Sequence, residues 1–171
     1  MRKKQTVRAI GAALVLLWSG AAAQNIPAAF ADIGYGARPM GMGGAYVALA
    51  SDAYGMFWNP AGLAYVRGSH VGTMYAKQYN LIPYLLASGV TEIGGKYAVG
   101  AGFLSSGDEV WRESTILVSG AVRPGFIRGF SLGITLKTRM VSFGNNDDPS
   151  EYHVHGSGTG FGLDLGMRWK Y

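Results

Sequence analysis

A chain of 171 residues with no cysteine has room for one domain. It has no disulfide framework, zinc–thiolate cluster, thiol nucleophile or acylated lipoprotein anchor. The formal net charge of +5 points to an anionic partner, but four of the fifteen basic residues are Arg2, Lys3, Lys4 and Arg8, so the excess belongs to the N-terminus and no nucleic-acid-binding surface is expected.

In chain order, residues 1–23 read as a secretory signal peptide. The positive "MRKKQTVR" precedes an apolar run from Ala9 to Trp18, and Ala21-Ala22-Ala23 offers a cleavage site before Gln24. The rival reading is an N-terminal membrane anchor, but the run falls well short of the roughly 20 residues a spanning helix needs. Ala29-Phe30-Ala31 is a second cleavage site, farther from the apolar run. No later stretch is apolar and long enough for a transmembrane helix.

Residues 24–68 form a glycine-, alanine- and aromatic-rich segment containing "GMGGAYVALASDAYGMFWNPAGLA", Gly41 to Ala64. Ser51 and Asp52 are N-cap residues, and the following "AYGMFW" predicts a turn or two of helix. Asn59 precedes Pro60 and is pushed out of the α region, so the helix should stop there. Gly41, Gly43 and Gly44 allow tight backbone turns, and Tyr46, Tyr54, Phe57 and Trp58 are available for packing. Such a knot buries too little by itself and needs walls around it.

From residue 69 to 171 the texture changes to alternating runs, predicting strands at about 69–79, 84–92, 96–105, 114–123, 129–142 and 159–171. Phe130, Leu132, Ile134, Leu136 and Met140 share one face, and Ser131, Gly133, Thr135, Lys137 and Arg139 the other. The last strand repeats the pattern up to Trp169 and Tyr171. Gly94-Gly95 predicts a tight hairpin and Pro124-Gly125 another turn, whereas "SGDEVWRES" and "GNNDDPSEYHVHGSG" read as polar loops.

Short turns at one end and long loops at the other are the habit of outer-membrane barrels, although the connection near Asn80 to Pro83 is too short to fit. A soluble periplasmic β-sandwich that binds a ligand or partner also alternates. The faces favour the barrel: one is large and apolar, while the other mixes glycine with a few charges. The expected fold is therefore all-β, a transmembrane antiparallel barrel of about six strands over 69–171 with a small helical or irregular hatch over 24–68.

Smaller constellations carry less. His153 and His155 share one side of an extended segment but lack a third ligand, so a solvated loop is the better reading. "NNDDPSE" lacks the spacing of a calcium loop. Gly41-x-Gly43-Gly44 has neither a preceding strand nor the lysine of a phosphate loop. Ser105, Ser106, His70 and Asp108 supply triad residue types without a nucleophile elbow, so no enzyme, cofactor or metal site is expected. Charges at Arg38, Asp52 and Asp164 suggest ion pairs between hatch and barrel wall, the alternative being that they face water.

The stretch "GARPMGMGGAYVALASDAYGMFWNPAGLA", Gly36 to Ala64, resembles the N-terminal signature of the PorV/PorQ family of outer-membrane proteins. That family is similar to FadL-type channels for long-chain fatty acids and hydrocarbons. The resemblance implies a hatch plugging the barrel lumen, with Asn59, Pro60 and Ala61 packed on the wall and Gly41, Gly43 and Gly44 as the glycine cluster. Asp52 and Trp58 fall inside the same signature.

Asn59 is then expected to bond wall backbone groups, and arginine at the lipid-facing Leu132, Ile134 or Leu165 should cost more than at Ser131 or Thr135. The implied partners are outer-membrane lipid and either a hydrophobic small molecule or type IX secretion components and their cargo. FadL-type barrels have about fourteen strands and the smallest single-chain barrels about eight. Six strands therefore imply an N-terminal part of a longer protein, or strands supplied from elsewhere.

Overall fold

The computed structural model describes residues 34–78, 80–144 and 156–170, all within the unit Asp32–Tyr171. The expected signal peptide, residues 24–33 of the expected hatch, the His153–His155 pair and "NNDDPSE" lie outside them.

Alternation from Ser69 onward becomes β1 (Ser69–Gln78), β2 (Ile82–Ile93), β3 (Tyr97–Gly107), β4 (Trp111–Val122), β5 (Phe130–Phe143) and β6 (Gly156–Trp169). They form one antiparallel sheet in the order β1-β2-β3-β4-β5-β6. The sheet is not closed: β1 and β6 are its two edges and do not pair.

Two of the links have a local cause in view. Gly94 and Gly95 both take positive φ, 59° and 71°, which turns β2 into β3 at no side-chain cost. Between β3 and β4 the Asp108 carboxylate accepts the backbone N–H groups of Val110 and Trp111, both at 2.9 Å. That side chain makes a long loop unnecessary, and "SGDEVWRES" is a correction: it is strand on both sides of a turn at 108–110. The β1–β2 link is short as well. Two of the three links at that end are therefore tight, and the expected separation of short turns from long loops does not hold.

The register aligns apolar side chains in rows across one face. Val118, Leu136 and Leu163 are opposite one another, as are Val99, Gly120, Ile134 and Leu165. This outer face is uncovered, with Leu136 58% and Leu165 76% exposed. The inner face lies under the N-terminal segment, and there Ser131 and Thr135 are both 0% exposed. On β5 the apolar residues are outside and the small polar ones inside, the reverse of a strand folded in water, whereas β2 to β4 also turn apolar side chains inward.

The core lies between this inner face and the segment before β1. Met56, Leu63, Ala64 and Val66 pack onto Val90, Ala98, Leu117 and Ala121. Full burial of side chains such as Met56 and Leu63 contributes roughly 1.5–3 kcal/mol each.

Candidate functional site

The N-terminal segment holds two short helices, α1 (Ala37–Gly41) and α2 (Gly55–Trp58), and a 3-10 helix over Pro60–Tyr65. Past α1 the chain reverses through Gly43 and Gly44, whose φ of 61° and 79° suit glycine. Gly41 differs from expectation. It closes α1 without positive φ, and an added Cβ would meet nothing within 4 Å. Helix α2 is one turn and has no side-chain cap; Asp52 instead accepts the N–H of Tyr54 at 2.9 Å. Asn59 ends α2 in an extended conformation, with φ −156° and ψ 102°.

The proline does more than stop that helix. At the first position of the 3-10 helix its missing N–H costs nothing, while Asn59 Oδ1 caps the helix by accepting the N–H of Ala61 at 3.1 Å. The other end of the amide donates to Val47 O at 3.1 Å and to Met167 O on β6 at 3.3 Å. One side chain thus joins the 3-10 helix, the preceding loop and the sheet.

The sheet is notched to receive this motif. Gly133 on β5 and Gly166 on β6 are cross-strand partners beneath it. A Cβ on Gly133 would stand 2.2 Å from the Pro60 carbonyl carbon, and one on Gly166 2.3 Å from Asn59 Oδ1. Backbone lies against backbone at this point, so neither position has room for a side chain. Gly102 on β3 receives Met56 in the same way, and Gly72 on β1 receives the Tyr54 ring. The sequence pattern contains the glycine-rich face but not these seats, because which glycine meets which atom of the N-terminal segment depends on strand register.

Two hydroxyls on β5 fasten the helices. Ser131 donates to Ala61 O at 2.9 Å, and Thr135 to Met56 O at 3.4 Å. Ser119 lies 2.7 Å from Thr135, and because each hydroxyl has one proton, Ser119 is the donor in that contact. Tyr54 reaches β1 by donating to Thr73 O at 2.9 Å. Trp58 Nε1 donates to Tyr35 O at 2.9 Å and its ring meets Tyr46 edge-on.

The expected hatch-to-wall ion pairs are not formed by Arg38, Asp52 and Asp164. Arg38 pairs with Asp52 within the N-terminal segment at 3.3 Å, and Asp164 pairs with Lys137 between neighbouring strands at 2.5 Å. Each carboxylate has a nearer cation on its own side of the interface. Tyr46 is fully buried below Arg38, whose guanidinium is 5.5 Å from its ring centre. Burial, reinforced by Asp52, raises the phenol far above the ordinary tyrosine range, so this side chain stays neutral.

An open hollow of about 530 Å³ is lined by Val47, Trp58, Asn59 and Pro60 and by residues Leu163 to Met167 of β6. The triad residue types do not meet. His70 lies on β1 with its Nε2 at 3.0 Å from Arg67 O, Ser106 is on the inner face near the opposite end, and Asp108 holds its turn. Comparison with known proteins gave no matching family model, no matching curated protein and no matching solved structure.

Proposed function

We propose that the sheet is part of the wall of an outer-membrane β-barrel of the PorV/PorQ type, with the segment before β1 as its plug. The carrying observation is the inverted burial. Leu132, Ile134, Leu136 and Leu165 lie bare on one face while Ser131 and Thr135 are sealed on the other. A soluble sandwich would bury the apolar set; a bilayer covers it instead. Strands of 10 to 14 residues fit the roughly 9–11 residues that span the hydrocarbon at a tilt.

Such a protein acts in transport or export across the outer membrane. As a hydrophobic-compound channel it would hold its ligand beside the plug, in the hollow at Asn59. As a type IX secretion component it would hold exported proteins. Fractionation tests the shared premise: the chain should stay with outer membranes through carbonate extraction and show heat-modifiable mobility. A freely soluble periplasmic pool would instead support the sandwich. Binding of a fluorescent fatty acid, set against cross-linking to secretion components, separates the two roles.

A further inference from the structure

Charge is distributed unevenly between the two ends of the sheet. One end gathers the β2–β3 link, the β4–β5 link, the start of β1 and the end of β6. Its described residues hold six cations, Arg67, Lys96, Arg123, Arg128, Arg168 and Lys170, against one carboxylate, Glu92. Arg67 pairs with that carboxylate at 2.7 Å, and the end keeps an excess of five positive charges. At the opposite end the described acids and bases are balanced, with Asp108, Glu109 and Glu113 beside Lys77, Arg112 and Arg139.

The backbone holds these cations close together. Arg123 N bonds Lys96 O, placing those two residues side by side. Lys170 N bonds Gly129 O, bringing Lys170 next to the residue after Arg128. Arg123 and Arg168 lie over the Tyr65 ring, at 5.2 and 4.5 Å, with Arg123 Nε and Arg168 Nη1 buried there and Arg123 Nη2 donating to Gly95 O, so besides the paired Arg67 it is Lys96, Arg128 and Lys170 that this end exposes. At the same end Phe126 is 85% exposed at the tip of the β4–β5 link, and Trp169 is 67% exposed on the outer face. Cations beside outward aromatics, continuous with a bare apolar face, match the chemistry of a bilayer's headgroup layer.

We propose that this rim binds the phosphates of anionic phospholipids, anchoring the cationic end of the sheet in the headgroups of one leaflet. The inference rests on the bilayer reading above and adds which lipid and which end. The test uses the whole chain with vesicles of phosphatidylcholine alone or with added phosphatidylglycerol. The variant K96Q/R128Q/K170Q removes three exposed cations that hold no part of the plug.

The wild type should prefer the phosphatidylglycerol vesicles, and the triple variant should lose that preference by about a hundredfold at low salt with its circular dichroism unchanged. Equal partitioning of the wild type into both vesicles overturns the proposal and leaves the bilayer reading standing. A chain that stays off both overturns the two together. An undiminished preference in the variant also overturns it. So does a rim that ignores phosphatidylglycerol but is retained on poly-glutamate, which would mark an acidic protein partner.

Discussion

The amide of Asn59 is used at both ends, capping the 3-10 helix and reaching Val47 and Met167. Asn59→Leu leaves those groups unpaired at a local cost of about 1–3 kcal/mol, but the strand ladder does not pass through this residue. An assembled sheet with a loosened plug should result, seen as faster protease cleavage between Gly41 and Ala64 at unchanged β content. Unchanged protection would remove Asn59 from the role assigned to it. A second residue-scale expectation concerns Asp108. Hydrogen bonds from the N–H groups of Trp111 and Val110 hold its carboxyl below the usual aspartate range. The bonded turn should therefore persist above the ordinary aspartate pKa of about 4 and be lost as pH falls below it. The Trp111 amide resonance should follow that titration, and Asp108→Asn should abolish it.

Elements carry the distinction between the two faces. Ile134→Arg and Leu165→Arg place a charge on the outer face and should cost roughly 2–4 kcal/mol near a bilayer midplane, measured as loss of the heat-modifiable form. The same change at Ser131 or Thr135 is expected from the sequence to be much milder, but their burial gives it a cost of its own. Both are fully buried against hatch carbonyls, so an arginine there must lift the plug. The effects should differ in kind, with lost assembly outside and lost protease protection inside. Gly133→Ala should act like the inner changes, since its methyl group would overlap the Pro60 carbonyl. The strands were legible because period two and glycine turns are local signals. Asn59 and Pro60 were legible as a helix stop for the same reason. The 3-10 helix, the turn closed by Asp108 and the glycine seats were not. A proline that ends one helix can begin another, a side chain can replace a loop, and a seat exists only once two distant segments are in register.

At the scale of the whole molecule, the open edges dominate. β1 and β6 each present a row of unpaired backbone groups. In hydrocarbon each such group costs several kcal/mol, so a spanning sheet must have these edges paired. The smallest single-chain barrels have about eight strands, and six are seen here. Held as a monomer in detergent, this 171-residue chain should therefore exchange alternate β1 and β6 amides quickly while those of β3 and β4 stay protected. Uniform protection across all six strands in a proven monomer would contradict the open sheet.

The bond between Asn59 and Met167 also has a bearing on time. Its partners are 108 residues apart, so it joins the segment before β1 to a strand made much later. If β6 slipped one residue against β5, Leu165 or Met167 would take the place of Gly166. No side chain fits there, where even a Cβ would stand 2.3 Å from Asn59 Oδ1. The plug therefore gauges the alignment of β6. It seats only on the correctly paired strand, and an assembly fault at that edge appears as a plug that fails to close.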